Sequence, residues 1–461
     1  METLEAQVTQ RGGLALNDTL YILAYVVGIS AVYAFSLVVY RVYFHPLSHI
    51  PGPWLAGASY WPEFYYDCLG EGYLKMYPEL HAQYGPLVRV TPSRVHIGDP
   101  DYYHDIPGAR KYLKDSKFYS ARGSIQFSLP MLVDPETHRI RKKTIQSLFS
   151  PKDMEGLSYR VEGIVKKGLE KLRLSYENKI PVDMNRIFRG ITTDTLMRLM
   201  FDKTFGLIDS VEEEPDFVKT MRTFQDSFSW VKQFPVLNLV SVVLPQSWVN
   251  TIFPGFVQFR AVSFVIGTDT TSYALSMGAY HLISNPSKLE KLRRELETVP
   301  TNADGVLEHK DIRNLPYLSA TVKEILRIAC PVPGILPRVV PEEGMKVAGY
   351  YLPKGTIVSL AAQIVHFNES IYPDAHNFIP ERWLGEKGKE LENWFVTFSK
   401  GQRMCIGINM AYLETYLCVA NVFSKFDFEL YETNEETAMW IDMVAAARPR
   451  QNIKAMVTSC R

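Results

Sequence analysis

The stretch Phe398-Ser399-Lys400-Gly401-Gln402-Arg403-Met404-Cys405-Ile406-Gly407 decides how this chain is read. One cysteine lies between two glycines, with an arginine two residues before it and a helix expected from Ile408 to Phe423 directly after. Glycine lets the backbone approach a large flat ligand closely. Amides around a thiolate soften its charge, and the start of a helix adds a positive dipole there. The pattern predicts a Cys405 thiolate that binds a metal from one side only.

Working outward, 461 residues allow one large domain or two to three ordinary ones, and no low-complexity linker or internal repeat divides them. Lysine plus arginine and aspartate plus glutamate each number 50, so nothing in the net charge invites nucleic acid. Five cysteines (Cys68, Cys330, Cys405, Cys418, Cys460) are scattered and never form Cys-x-x-Cys, which fits a reducing compartment and neither a disulfide framework nor a zinc site. From Leu20 to Tyr40 run 21 consecutive uncharged, mainly apolar residues. As a helix they reach roughly 30 Å, one hydrocarbon thickness. Arg41 and His45 follow this span, while Glu2, Glu5 and Asp18 outweigh Arg11 before it, so the remainder is expected on the cytoplasmic side. Asn17-Asp18-Thr19 is then a lumenal glycosylation sequon, with Asn17 as acceptor. Pro46 and Pro51-Gly52-Pro53 form a stiff turn. The expected organisation is an N-terminal segment, 1–45, carrying a transmembrane anchor at about 20–40, and a main domain over 46–461.

Leu87 to Val90 and Val95 to Ile97 read as a hairpin, and Met345 to Val347 with Thr356 to Leu360 as another. Helices are expected over Glu136–Leu148, Leu157–Leu174, Thr192–Met200, Lys288–Leu296 and Leu318–Ala329. The fold class is therefore mainly α with a small β portion. Gln233 to Phe259 contains no acidic or basic side chain but three prolines. It reads either as a membrane-dipping route for an apolar substrate or as ordinary buried core.

Other polar residues stand out against this background. Glu324 and Arg327 share one helical face, and Pro380-Glu381-Arg382-Trp383 brings a second arginine near the cysteine loop. Gly267-Thr268-Asp269-Thr270-Thr271 interrupts an apolar run, Phe256 to Ile283, read as one long helix. Hydroxyls there either bond back to the preceding turn or serve chemistry.

Taken together these segments resemble the cytochromes P450. Phe398, Gly401, Arg403, Cys405 and Gly407 match all five fixed positions of that family's Phe-x-x-Gly-x-Arg-x-Cys-x-Gly haem-ligand signature, a chance event on the order of one in ten thousand. The resemblance implies the P450 fold with haem b held by the Cys405 thiolate, and a structural network of Glu324, Arg327 and Arg382 behind the haem loop. It further implies Thr270 as the hydroxyl that hydrogen-bonds oxygen under activation and Asp269 as the acid relaying protons to it. Arg338, Arg403, His138 and Lys142 would meet the propionates, and Phe398 and Gly407 would line the cofactor.

The stretch Tyr43 to Trp54 is most similar to fungal P450s of secondary metabolism, those like trichodiene oxygenase. This implies a monooxygenase that hydroxylates or epoxidises an apolar small molecule of terpenoid type. Electrons would come from an NADPH-cytochrome P450 reductase, which could dock on Lys142, Lys143, Lys400 and Arg403. The expected location is the endoplasmic reticulum membrane, single-pass, with the catalytic domain cytosolic.

Two departures go with the resemblance. Ile266 stands where the family has alanine or glycine, and only 131 residues separate His138 from Asp269. An internal deletion before the oxygen-activation helix, close to Pro254-Gly255, accounts for both. The alternatives are a natural short variant, a non-catalytic or degenerate haem-binding protein, and a P450-fold isomerase acting on peroxides.

Overall fold

A computed structural model describes residues 2–120, 128–210, 229–230, 232–234, 266–443 and 446–461 of the protein. Most of the uncharged Gln233–Phe259 stretch, Pro254-Gly255 and the first half of the expected Phe256–Ile283 helix lie outside the described residues.

The helices that position the site are α1 (Glu2–Val39), α2 (Pro135–Ile145), α3 (Ser158–Asn178), α4 (Met184–Phe201), α5 (Ile266–Ser284), α6 (Pro286–Leu296), α7 (Pro316–Ala329) and α8 (Ile408–Lys425). Among the described residues twelve short strands accompany them: β1 (Leu87–Thr91), β2 (Arg94–Ile97), β3 (Leu113–Lys114), β4 (Val182–Asp183), β5 (Arg338–Val339), β6 (Met345–Val347), β7 (Tyr350–Leu352), β8 (Ile357–Ser359), β9 (Phe426–Leu430), β10 (Trp440–Asp442), β11 (Ala447–Pro449) and β12 (Lys454–Cys460). The protein is mainly helical with small sheets, as expected.

The segment Tyr21–Phe44, 24 residues of mean hydropathy 2.3, is helical and none of it is buried against the rest of the protein. It is long and apolar enough to cross a membrane. The helix begins far earlier than Leu20, at Glu2. At its other end Arg89 donates from Nη1 to Arg41 O at 2.9 Å and from Nη2 to Pro92 O at 2.8 Å, while Arg41 Nη1 donates to Ala58 O at 3.1 Å. The Pro51-Gly52-Pro53 turn lies directly on β1, with Arg89 N donating to Pro51 O at 2.7 Å.

Helix α7 shows why its residues form a helix there. Pro316 occupies its first turn, and the Glu295 carboxylate accepts from the free amides of Tyr317 (2.8 Å) and Leu318 (2.7 Å), acting as a cap supplied by α6. Leu318, Val322, Ile325 and Ala329 form a buried stripe at helical spacing. That stripe meets α5 where Gly278 faces Ile325; a Cβ on Gly278 would stand 2.8 Å from Ile325 Cδ1. Helix α8 is apolar on nearly every side, burying Met410, Leu413, Leu417, Val419, Val422 and Phe423, so it runs through the main core that α3 to α7 surround.

The largest sheet has the order β1-β2-β8-β5-β3, and β12 joins β4 and β9 in a second. The first expected hairpin, β1 with β2, is present. The second is corrected: β6 pairs with β7, not with the Thr356–Leu360 segment. Ala348 (φ 49°) and Gly349 (φ 84°) both take left-handed backbone, which makes a two-residue hairpin turn between them. The chain then turns at Pro353-Lys354-Gly355, and β8 adds to the central sheet parallel to β2, Arg94 opposite Ile357.

Candidate active site

Ser399 (φ 60°) and Gly401 (φ 68°) turn the chain twice before the cysteine. The loop closes on itself, with Cys405 N donating to Phe398 O at 2.9 Å and Met404 N to Gly401 O at 3.0 Å. Gly401 also lies against the neighbouring segment: a Cβ there would stand 2.8 Å from Gly108 Cα. Gly407 ends the loop and precedes α8, and a Cβ on it would come within 4.0 Å of Cys405 Sγ. Cys405 is solvent-exposed as a residue, yet its sulfur lies among enough protein that burial pushes the thiol up, with the Gly407 amide and the Lys142 charge pulling the other way.

Two cations cross between this loop and α2, one reaching the residues just before that helix and one coming from its last turn. Arg403 donates to Leu132 O (2.9 Å) and Val133 O (3.0 Å). Lys142 donates to Gln402 O and Met404 O, both at 3.0 Å. Around them, Arg338 is 2 % exposed and donates to Tyr119 Oη (3.1 Å) and Pro107 O (2.9 Å). Burial lowers His138 to about 4, and the charges of Arg403, Lys114 and Lys142 add to the effect. Arg110, Arg139 and Lys143 line the same cleft, 360 Å³ in volume, with His138, Lys142 and Arg403. Lys400 faces elsewhere, reaching Glu392 O at 3.4 Å.

A half-buried gathering of like charges is unfavourable alone and favourable around an anion. Among the described residues no cluster of three His, Cys, Asp or Glu could hold a metal by itself. A single accessible thiol with a cationic surround fits an iron carried by a macrocycle with acidic substituents. The residues present fit haem.

Behind the loop, Glu324 and Arg327 are wholly buried. Glu324 accepts from Arg327 Nε and Nη2 (both 2.8 Å), Ile379 N (2.9 Å), Arg382 Nε (3.1 Å) and Trp383 Nε1 (2.8 Å). Burial alone would raise its carboxyl, but the bonds and charge of Arg327, with Arg382, hold it below its usual range. Arg327 Nη1 donates to His366 O at 2.8 Å, and His366 Nε2 accepts from Val396 N at 3.2 Å. Thr397 Oγ1 donates to Leu326 O at 3.2 Å. The network thus fixes the strand of chain that leads into Phe398.

On α5, Asp269 Oδ1 accepts from Arg189 Nε of α4 at 3.2 Å, and Thr270 Oγ1 donates back to Gly267 O at 3.4 Å. Asp269 and Arg189 border a 210 Å³ pocket with Asn185, Ser272, Arg448 and Asn452. Thr270 stands on α5 and Cys405 in the loop just before α8, and the two helices pack together.

Sequence reasoning missed Arg189, Lys114, His366 and Trp383, and also Glu414 on α8. Glu414 is fully buried without a well-aligned hydrogen bond; burial pushes its carboxyl well above the usual range, and the nearby Thr271 hydroxyl pulls the other way.

The family model for cytochrome P450 matches residues 54–253 and 257–456. The chain belongs to the cytochrome P450 family. It is 43 % identical to cytochrome P450 monooxygenase BOT1 of Botryotinia fuckeliana, over 89 % of this chain and 91 % of that protein. It is 35 % identical to cytochrome P450 monooxygenase ankB of Aspergillus thermomutatus (96 % and 93 %), and 32 % identical to cytochrome P450 monooxygenase phqM of Penicillium fellutanum (90 % and 88 %). The first alignment runs over 464 positions but takes up 89 % of 461 residues, about 410, so about fifty positions have no residue of this P450 opposite them. The family match itself breaks at residues 254–256.

Proposed function

We propose that this P450 monooxygenase holds haem b through Cys405 and hydroxylates or epoxidises an apolar small molecule, of terpenoid type, in fungal secondary metabolism. The observation that carries the reading is the cysteine loop: one accessible thiol, an amide donor at its sulfur, and His138, Arg338, Arg403 and Lys114 gathered beside it. When bound, haem supplies the activation of dioxygen. The chain's part is to hold the sulfur, exclude water and deliver protons. Asp269 and Thr270 carry that delivery: the Asp269 carboxyl, held by Arg189 at the border of a polar pocket, takes a proton from solvent, and the Thr270 hydroxyl donates one inward. Arg338 and His138 would meet the propionates of the bound haem.

The domain over 46–461 would stand on the cytosolic face of the endoplasmic reticulum, anchored by the helix within 1–45, with Asn17 in the lumen. NADPH-cytochrome P450 reductase would dock beside Lys143, Arg110 and the loop. Reconstitution in lipid with reductase and NADPH, against a panel of sesquiterpenes, tests the reading: an oxygenated product dependent on reductase supports it, and substrate turnover without reductase contradicts it. The missing fifty or so positions favour a second reading, a haem-binding chain without turnover. It predicts a thiolate-ligated spectrum with no oxygenated product, and full turnover would remove it.

A further inference from the structure

We infer that Lys142 is the clasp of the cysteine loop, a positioning residue that orders the Cys405 ligand and lends it positive charge. The inference rests on the reading of Cys405 as the haem ligand.

Helix α2 is set in place by its cap: Asp134 accepts from Thr137 N at 2.6 Å, and Pro135 opens the first turn. His138 and Lys142, four residues apart, then share the face turned to the loop. His138 stays buried among cations. Lys142 extends further, and its ammonium bonds Gln402 O and Met404 O at 3.0 Å each. Those carbonyls belong to alternate residues of the tight turn, and Cys405 follows directly after the second. Arg403, between them, reaches back to Leu132 O and Val133 O just before α2. Each segment therefore supplies a cation to the other's carbonyls, and the loop cannot move without breaking both pairs.

A lysine whose donors are engaged on loop carbonyls is placed to act on the sulfur. Hydrogen bonds from a charged donor are stronger than neutral ones, and losing two of them shifts the balance between ordered and loosened loop by on the order of tenfold or more. A positive charge beside a thiolate-bound iron also favours the reduced state, which carries one more electron.

The test compares Lys142→Arg, Lys142→Gln and Lys142→Met in the full chain with the parent and with Cys405→Ser. Two readouts are taken: the reduced carbon monoxide difference spectrum over time, and the haem midpoint potential. The expected result is a parent-like thiolate Soret band and potential in Lys142→Arg. In Lys142→Met the thiolate band should convert to the blue-shifted form on the order of ten times faster, with a lower potential. Lys142→Gln, which keeps a donor without the charge, should hold the band better than Met yet share its lower potential. If Lys142→Met takes up no haem, the Arg and Gln variants decide by the same two readouts. Parent-like behaviour in every neutral variant, or equal loss in Arg and Met, overturns the clasp. A parent chain without the thiolate band overturns the Cys405 reading itself, and the clasp with it.

Discussion

Replacing Glu324 by glutamine tests the buried network most severely. The carboxylate takes five donors, two on Oε2 (Arg327 Nε, Trp383 Nε1) and three on Oε1 (Arg327 Nη2, Ile379 N, Arg382 Nε). Glutamine offers one acceptor oxygen, so at least two donors would face an NH2 group, and two guanidinium charges would lose their counter-ion. Removing one partner of a buried pair costs about 3–5 kcal/mol, and each stranded donor about 1–3 kcal/mol. These effects overlap, giving about 5 kcal/mol in all, as large as the whole margin of some domains, about 5–15 kcal/mol. Arg382→Met is the contrast. It removes one bond to Glu324 and two to the carbonyls of Pro373 and Asp374, leaves Glu324 paired with Arg327, and should cost about 2 kcal/mol. Urea unfolding of the detergent-solubilised full chain, followed by tryptophan fluorescence, gives both shifts as changes in midpoint at constant slope. A Glu324→Gln shift no larger than that of Arg382→Met would refute the reasoning.

Gly401→Ala forces a left-handed residue to carry a Cβ 2.8 Å from Gly108 Cα, so haem content per purified chain should fall at least severalfold, while Gly407→Ala, with only Sγ at 4.0 Å, should retain more than half. Asp269→Asn removes the acid opposite Arg189 and should slow turnover on the order of a hundredfold while raising peroxide released per NADPH; unchanged coupling would count against the relay. Burial lowers His96 well below 6.5, and lowers His366 to about 3 and His138 to about 4. All three are therefore neutral when folded and take up protons more readily when unfolded. The stability they contribute is complete above pH 6.5 and is lost as pH falls toward those lower values. Melting temperature should drop from pH 7.5 to pH 5.2, the three histidines together outweighing the opposite effect of the raised Glu414 carboxyl, and a flat profile would contradict the assignment.

What could be read from the chain, and what could not, divides by the distance between partners. The cysteine loop is ten consecutive residues, and Glu324 with Arg327 is one helical turn, so both were visible in the sequence, the pair's role only through the family resemblance. Arg189 lies 80 residues from Asp269, and Trp383 lies 59 from Glu324, distances that carry no local signal. An arginine on α4 beside the buried Phe188 and Ile191 was the available clue. The β6–β7 turn was hidden for another reason: Ala348 takes a left-handed backbone usually reserved for asparagine or glycine, so the hairpin was joined to the wrong strand. Lys142 was legible as a cation expected at the propionates or the reductase, and its choice of two backbone carbonyls depends on how Gly401 turns the chain.

The reduced carbon monoxide difference spectrum of the full chain beside Cys405→Ser tests the central claim most directly. The account predicts a strongly red-shifted thiolate-type Soret band in the parent and its loss in the variant. The same band in both chains, or none in either, would contradict Cys405 as the iron's ligand in this protein.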